Sequence, residues 1–384
     1  PMTPELRSRL PRVGTTIFTV MSQLAAEHGA INLSQGFPDF AVPPRLVELV
    51  ERHMRAGRNQ YAPMAGVPAL RQAIAAKVRE LYAAEVDPET DITVTSGATE
   101  ALFAAIHAVL GPGDEAILLE PAYDAYEPAV ALAGGRAVRV PLRAPEYAVD
   151  WERVAAALSP RTRLIIINTP HNPSGAVLEP ADMARLEALV EDSGVFVLAD
   201  EVYEHIVFDG ARHQSVLRYP RLARRAFAVF SFGKTYHATG WKVGYCVAPP
   251  ELSAELRKIH QFLTFSTSTP MQHALADYLR EAPEHHRQLA AFYQARRDLF
   301  CHLLEGSRLA LAPARGTYFQ LLDYSAVSDL DDVDFARQLT RQRGVAAIPI
   351  SVFSHAPPDG RRLRFCFAKS DATLERAAGI LRTL

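Results

Sequence analysis

From Ser231 to Tyr245 the chain reads Ser-Phe-Gly-Lys-Thr-Tyr-His-Ala-Thr-Gly-Trp-Lys-Val-Gly-Tyr, a small-residue loop that isolates one lysine, Lys234, with a second, Lys242, eight positions on. Upstream, the apolar run Val195 to Ala199 ends in Asp200. A lone amine in a loop and a carboxylate at the end of a buried strand are the pair that pyridoxal phosphate requires. The amine bonds the aldehyde and the carboxylate holds the protonated ring nitrogen. Tyr203, three residues past Asp200, is placed to reach the phenolate oxygen of the same ring. In a poorly solvated site the Asp200 ion pair would keep the ring protonated.

Other segments have both a chemical reading and a plain one. Thr95-Ser96-Gly97-Ala98-Thr99-Glu100 follows a strand-like run and opens a helix-like one, so its amides suit an anion, although most such turns bind nothing. Asn168-Thr169-Pro170-His171-Asn172-Pro173-Ser174-Gly175 is a rigid turn, either an Asx-capped connection or a way to aim amides over a sheet, and Pro173 is a candidate for a cis bond. Arg364, in the alternating run Leu363 to Ala368, is either a snorkelling edge residue or a carboxylate fork. Gly233-Lys234-Thr235 resembles the end of a phosphate-binding Walker loop, but Ala228 stands where that loop needs glycine. His171 and His237 lack partners at metal-ligand spacing and read as structural, so no metal is expected.

The elements that must position these residues recur regularly. Near-continuous apolar runs at 92–95, 115–119, 164–167, 195–199 and 227–230 alternate with helix-like stretches such as 100–109 and 179–191. Such runs suit strands covered on both faces, so an α/β fold with a mostly parallel, helix-covered sheet follows. Beyond about Pro283 a long polar helix over 284–304 and strand-like runs at 316–322 and 363–368 suggest a smaller α+β domain.

Length and composition agree. At 384 residues two or three domains are expected. Lys and Arg number 41 against 43 Asp and Glu, so no cationic excess attracts nucleic acid or anionic lipid. The start lacks a signal-like apolar core and no run is long enough for a membrane helix, which points to the cytoplasm. Cys246, Cys301 and Cys366 are odd in number and far apart, and read as reduced core thiols.

Taken in order, these segments resemble the fold type I pyridoxal-phosphate aminotransferases of class I/II over essentially the whole chain. Within that group Asn32 to Phe40, Asn59 to Met64, Asp200 to His205 and the Lys234 loop look like the bacterial methionine aminotransferase branch, near the kynurenine and glutamine transaminases. The resemblance implies a large domain with a seven-stranded sheet over 46–281, a C-terminal small domain over 282–384, and an N-terminal arm with part of the small domain over 1–45. It also implies that Lys234 bonds the cofactor and then carries the substrate's α-proton, with Asp200 at the ring nitrogen, Asn172 and Tyr203 at the ring oxygen, and Tyr123 on the ring face. Gly97, Ala98, Thr99, Ser231 and Lys242 would hold the phosphate, with Tyr61 contributed by the second subunit of a homodimer. Arg364 would grip the substrate carboxylate, assisted by Asn168 and the Gly36 amide. Many relatives carry arginine where this chain has Lys242, so a point charge replaces a fork.

The function expected is transfer of an amino group from methionine or an aromatic or large neutral amino acid to a 2-oxo acid by a ping-pong cycle. A carbon–sulfur β-lyase on the same scaffold is the alternative. A cofactor-sensing DNA-binding regulator would need a basic extension for which the chain has no room.

Overall fold

The computed structural model describes residues 4–357 and 360–384. The first three positions of the expected arm, and Pro358 and Asp359 of the expected small domain, lie outside the described residues. Ile92–Thr95 (β1), Glu115–Glu120 (β2), Arg136–Pro141 (β3), Thr162–Asn168 (β4), Phe196–Asp200 (β5), Ala226–Ser231 (β6) and Gly244–Val247 (β7) form a seven-stranded sheet in the order β1-β7-β6-β5-β4-β2-β3. From β6 to β3 every pairing is parallel, while β7 runs antiparallel to both β1 and β6.

The continuous apolar runs are explained by burial on both faces. Along β4, Leu164 and Ile166 join Leu118, Leu198 and Val229 in one layer, while Ile165 and Ile167 join Ile117, Val197 and Ala228 in the other. Because side chains alternate along a strand, a chain that must fill both layers has no polar position to offer. β3, which the apolar pattern does not reveal, is an edge strand. Its Arg136 pairs with Glu115 at 2.8 Å and its Arg139 with Glu120 at 3.2 Å. β7 is equally hard to see, being four residues long and continuous with the Lys242 turn.

A second sheet, Phe319–Asp323 (β8), Ile348–Pro349 (β9) and Arg362–Cys366 (β10), is antiparallel in the order β9-β10-β8. Its core also takes in Leu289, Tyr293 and Phe300 of the long helix Glu284–Leu303 and Leu374 and Ala377 of the helix Asp371–Leu381. Ile31–Asn32 pairs in parallel with Val345–Ala346. The helix Ile17–Glu27 (α1), capped by Thr16 accepting from the Thr19 amide, packs Met21 and Leu24 into the same core. The strand expected from 316 starts only at Phe319, because Thr317 has φ +66° and breaks the pleat. A β-branched residue rarely takes that conformation.

Candidate active site

The carboxyl ends of β4, β5 and β6 set Asn168 beside Asp200 and Asp200 beside Val229, and the same edge brings Gly244 between Thr95 and Ser231. Above it lies a cavity of about 730 Å³, roofed by α1, the Gln35–Phe37 loop and the second sheet. Gly36, Gly97, Ala98, Thr99, Tyr123, Asn168, Asn172, Asp200, Tyr203, Ser231, Lys234, Lys242 and Arg364 all line it. Tyr61 does not. Its ring is 85% exposed and stands edge-on to Phe265, with Phe262 87% exposed close by in sequence.

Lys234 sits in a short helical turn, Phe232–Thr235, rather than in the irregular loop its small neighbours suggest, and Ser231 caps that turn. Its Nζ donates to the Gly36 carbonyl at 3.0 Å and to the Tyr318 hydroxyl at 3.2 Å. Burial above all, with Arg364 and Lys242 nearby, pulls its ammonium down to about 8. About a tenth is therefore free amine at pH 7, far more than for an ordinary lysine.

Asp200 is buried, and burial lifts its carboxyl to about 6 against the hydrogen bonds it accepts. Tyr126 donates to Oδ2 at 2.6 Å, and the Val202 amide approaches Oδ1 at 3.4 Å. A buried carboxylate with one phenol and one amide is under-compensated, so a cationic partner from the cavity side suits it. The sequence reading missed Tyr126. Its spacing of three from Tyr123 is the available signal, since the turn that leads into the helix Tyr126–Leu132, closed by the Tyr126 amide donating to the Tyr123 carbonyl at 3.3 Å, brings the two rings edge-on at 5.8 Å.

The helix Gly97–Val109 (α2) begins at the cavity without a side-chain cap. Gly97 has φ +79°, and a Cβ there would lie 2.9 Å from both Cε and Nζ of Lys242, so the absent side chain makes room for the lysine. Lys242 is itself left-handed at φ +55°, a conformation that costs a non-glycine residue and clusters at functional sites. Uncapped amides at a helix N-terminus and one ammonium form an anion site.

Arg364 is not a snorkelling edge residue. It lies in the central strand of the second sheet, not at an edge, and is 1% exposed. Nη1 donates to Asn172 Oδ1 at 2.8 Å, Nη2 to the Ser34 carbonyl at 3.0 Å, and the guanidinium lies 3.8 Å from the Phe319 ring centre. Its Nε has no partner among the described residues. Asn172 thus braces Arg364, while Asn168 accepts from the Asn172 amide at 2.9 Å and donates to the Asp200 carbonyl at 3.0 Å. Neither bracing role was expected. Gly36 meets the site through its carbonyl, where the sequence reading looked to its amide.

The Asn172–Pro173 bond is cis. His171 is held by the Pro121 carbonyl at 2.8 Å and by Ser174, as a structural residue would be. Cys246 and Cys366 are buried thiols, whereas Cys301 is half-buried and so departs from the core-thiol expectation.

Behind Asp200 and Tyr203 the same segment turns two carboxylates away from the cavity. Glu201 accepts from the Val216 amide at 3.1 Å and lies 2.7 Å from His213 Nε2, and Glu204 takes Lys77 Nζ at 2.5 Å together with the Tyr82 hydroxyl. Burial pushes Glu204 up, but Lys77 and His205 outweigh it and hold the carboxyl well below the usual range. Removing the ammonium by Lys77→Ala strands a buried charge and is expected to destabilise the fold by about 3–5 kcal/mol in denaturant titrations. Because Glu204 is depressed in the folded state, the pair's contribution is present above the ordinary carboxylate pKa and lost as pH falls through the folded value. The wild-type and Lys77→Ala stabilities are thus expected to converge in acid.

The sequence matches the family Aminotransferase class I and II over residues 28–381. It is 56% identical over 384 residues to methionine aminotransferase of Escherichia coli K12, covering 100% of this chain and 99% of that protein. A probable N-succinyldiaminopimelate aminotransferase of Mycobacterium tuberculosis is 40% identical, with 98% of each chain covered. In structure, YbdL of Escherichia coli, for which a methionine aminotransferase function is described, superposes with a TM-score of 0.98 at 56% identity over 100% of both chains.

Proposed function

This chain belongs to the class I and II aminotransferases and is a pyridoxal-phosphate-dependent transaminase of amino acids and 2-oxo acids; from that premise we propose that methionine is its preferred amino donor. Support comes from the end-to-end identity with the Escherichia coli methionine enzyme. The cavity agrees: among the described residues lining it, Arg364 is the one guanidinium, and Phe18, Phe37, Leu102 and Val202 supply an apolar surround. One fork suits one carboxylate, so a neutral side chain is favoured over the second acid of aspartate or glutamate.

The donor set fits pyridoxal phosphate. The uncapped α2 terminus, the space left by Gly97, Ser231 and Lys242 suit its phosphate, and the under-compensated Asp200 suits its ring nitrogen. When bound, the cofactor supplies an electrophilic aldehyde and a protonated ring that accepts the electrons left when the substrate loses its α-proton. In this reading Lys234 Nζ would anchor the cofactor through its aldehyde, and its free amine would take the substrate's α-proton. Asp200, held by the Tyr126 hydroxyl, would face the ring nitrogen as a carboxylate and keep its proton in place. Asn172 and Tyr203 would hold the ring oxygen, and Tyr123 would hold the ring from its face. Arg364, braced by Asn172, Ser34 and Phe319, fixes the carboxylate and so decides that the Cα–H bond is the one that breaks.

A homodimer belongs to the same reading. Tyr61, Phe262 and Phe265 are exposed apolar groups that a second copy would cover, bringing Tyr61 to its neighbour's phosphate subsite. So does the division at 1–45, 46–281 and 282–384, which the separate core of the second sheet supports. A cytoplasmic location completes the reading. Among the described residues no helix is long and apolar enough to cross a membrane.

A donor panel tests the proposal. With a common 2-oxo acid acceptor, methionine is expected to give the highest kcat/KM, ahead of aromatic donors and well ahead of aspartate. Preference for a dicarboxylate, or ammonia released from cystathionine without any acceptor, would overturn it.

A further inference from the structure

We propose that Tyr318 is a positioning residue that directs the lone pair of the Lys234 amine into the cavity. The inference rests on the proposed role of Lys234 and follows from counting protons. The Tyr318 hydroxyl lies 2.5 Å from the Gly36 carbonyl, which can only accept, so the phenol's single proton is committed there. Toward Lys234, 3.2 Å away, the same oxygen can therefore act only as acceptor. Nζ must also donate to Gly36 O at 3.0 Å. A neutral amine has two N–H bonds, and the two acceptors, themselves 2.5 Å apart, draw both to one side of Nζ. What remains, the lone pair, points away from Tyr318 and Gly36 and toward the cavity that Lys234 lines.

The backbone places the phenol for this task. Thr317, fully buried at φ +66°, turns the chain just before β8 and takes Tyr318 out of the strand's alternation. Strain of that kind persists where the surroundings over-determine it, and it marks functional positions. The Tyr318 ring is fully buried and clamped edge-on by Tyr203 at 5.2 Å and Phe319 at 5.0 Å, so its hydroxyl has one location. Gly36 is fixed in turn, since a Cβ there would lie 3.2 Å from Phe319 Cζ. Whenever the amine is released from the cofactor, these two oxygens are its resting partners, and it faces the substrate as a base without a search over rotamers.

The test pairs a chemical readout on the cofactor-free chain with kinetics on the holoenzyme. Competitive acetylation of Lys234 across pH 6–10, read by mass spectrometry of its peptide, follows the free amine. In Tyr318→Phe the ammonium loses an acceptor, so the labelling midpoint is expected to move to lower pH. Turnover is nevertheless expected to fall by about tenfold to a hundredfold, at a methionine KM within about twofold of wild type, because the lone pair is no longer aimed. More free amine with slower proton transfer is a combination that loosened packing does not produce. An unmoved midpoint overturns the proposal whatever kcat does, and so does an unchanged kcat. If Tyr318→Phe fails to fold, 3,5-difluorotyrosine at 318 keeps the ring and weakens the oxygen as acceptor, and the same downward shift is required of it. Failure of the wild-type chain to take up pyridoxal phosphate at Lys234 would instead defeat the underlying reading, which the labelling profile does not depend on.

Discussion

Replacing Lys234 with alanine is expected to leave a folded protein that still binds pyridoxal phosphate through its phosphate and ring nitrogen but transaminates methionine at least about 10⁴-fold more slowly. Positioned acid–base groups contribute roughly 10²–10⁴ in rate, and in the proposed function this side chain is the covalent anchor as well. The structure gives the reason for so large an effect. Lys234 Nζ is the amine held at the cavity wall by Gly36 and Tyr318, and burial has already lowered it to about 8, which suits the proposed base near neutral pH. The other lysine of the cavity, Lys242, is packed against Gly97 at the anion end and cannot stand in. Single-turnover absorbance changes on mixing with methionine separate loss of chemistry from loss of binding. Wild-type rates in the variant would remove Lys234 from the mechanism.

Arg364→Ala is expected to lower kcat/KM for methionine by about 2–5 kcal/mol, or roughly 30- to 5,000-fold, most of it in capture of the substrate. The guanidinium is fully desolvated and has two of its donors spent on Asn172 and Ser34, which fixes the plane in which the rest of the fork meets a carboxylate. Phe319 beneath it adds a cation–π contact. Arg364→Lys is expected to recover little, because a point charge reproduces neither the fork nor the stacking. An unchanged kcat/KM in the alanine variant would mean that the carboxylate is held elsewhere.

The residues that could be read directly from the sequence are those whose chemistry is announced by local context. Asp200 ends an apolar run, Lys234 stands among small residues, and Gly97 opens a helix, so strand ends and helix starts gave the floor of the site. Burial on two faces made β4, β5 and β6 legible for the same reason. Residues that act from a distance in the chain were not legible. Tyr126 meets Asp200 across 74 positions, Tyr318 meets Gly36 across 282, and Arg364 meets Ser34 across 330. No local pattern encodes such contacts. Thr317 shows the limit most clearly, because its residue type argues for a strand while its left-handed backbone ends one, and it is that departure which delivers the Tyr318 hydroxyl to the lysine. The amides of Asn168 and Asn172 were foreseen at the site, but their engagement with the Asp200 backbone and with Arg364 depends on two sheets meeting.

The account depends most on a covalent bond between Lys234 and the cofactor aldehyde. Borohydride reduction of the purified holoprotein followed by peptide mass spectrometry reads that bond directly. A phosphopyridoxyl group on the peptide containing Lys234, absent from the Lys234→Ala protein, is the expected result. Recovery of an unmodified Lys234 peptide, or the group on Lys242 or any other lysine, would contradict it.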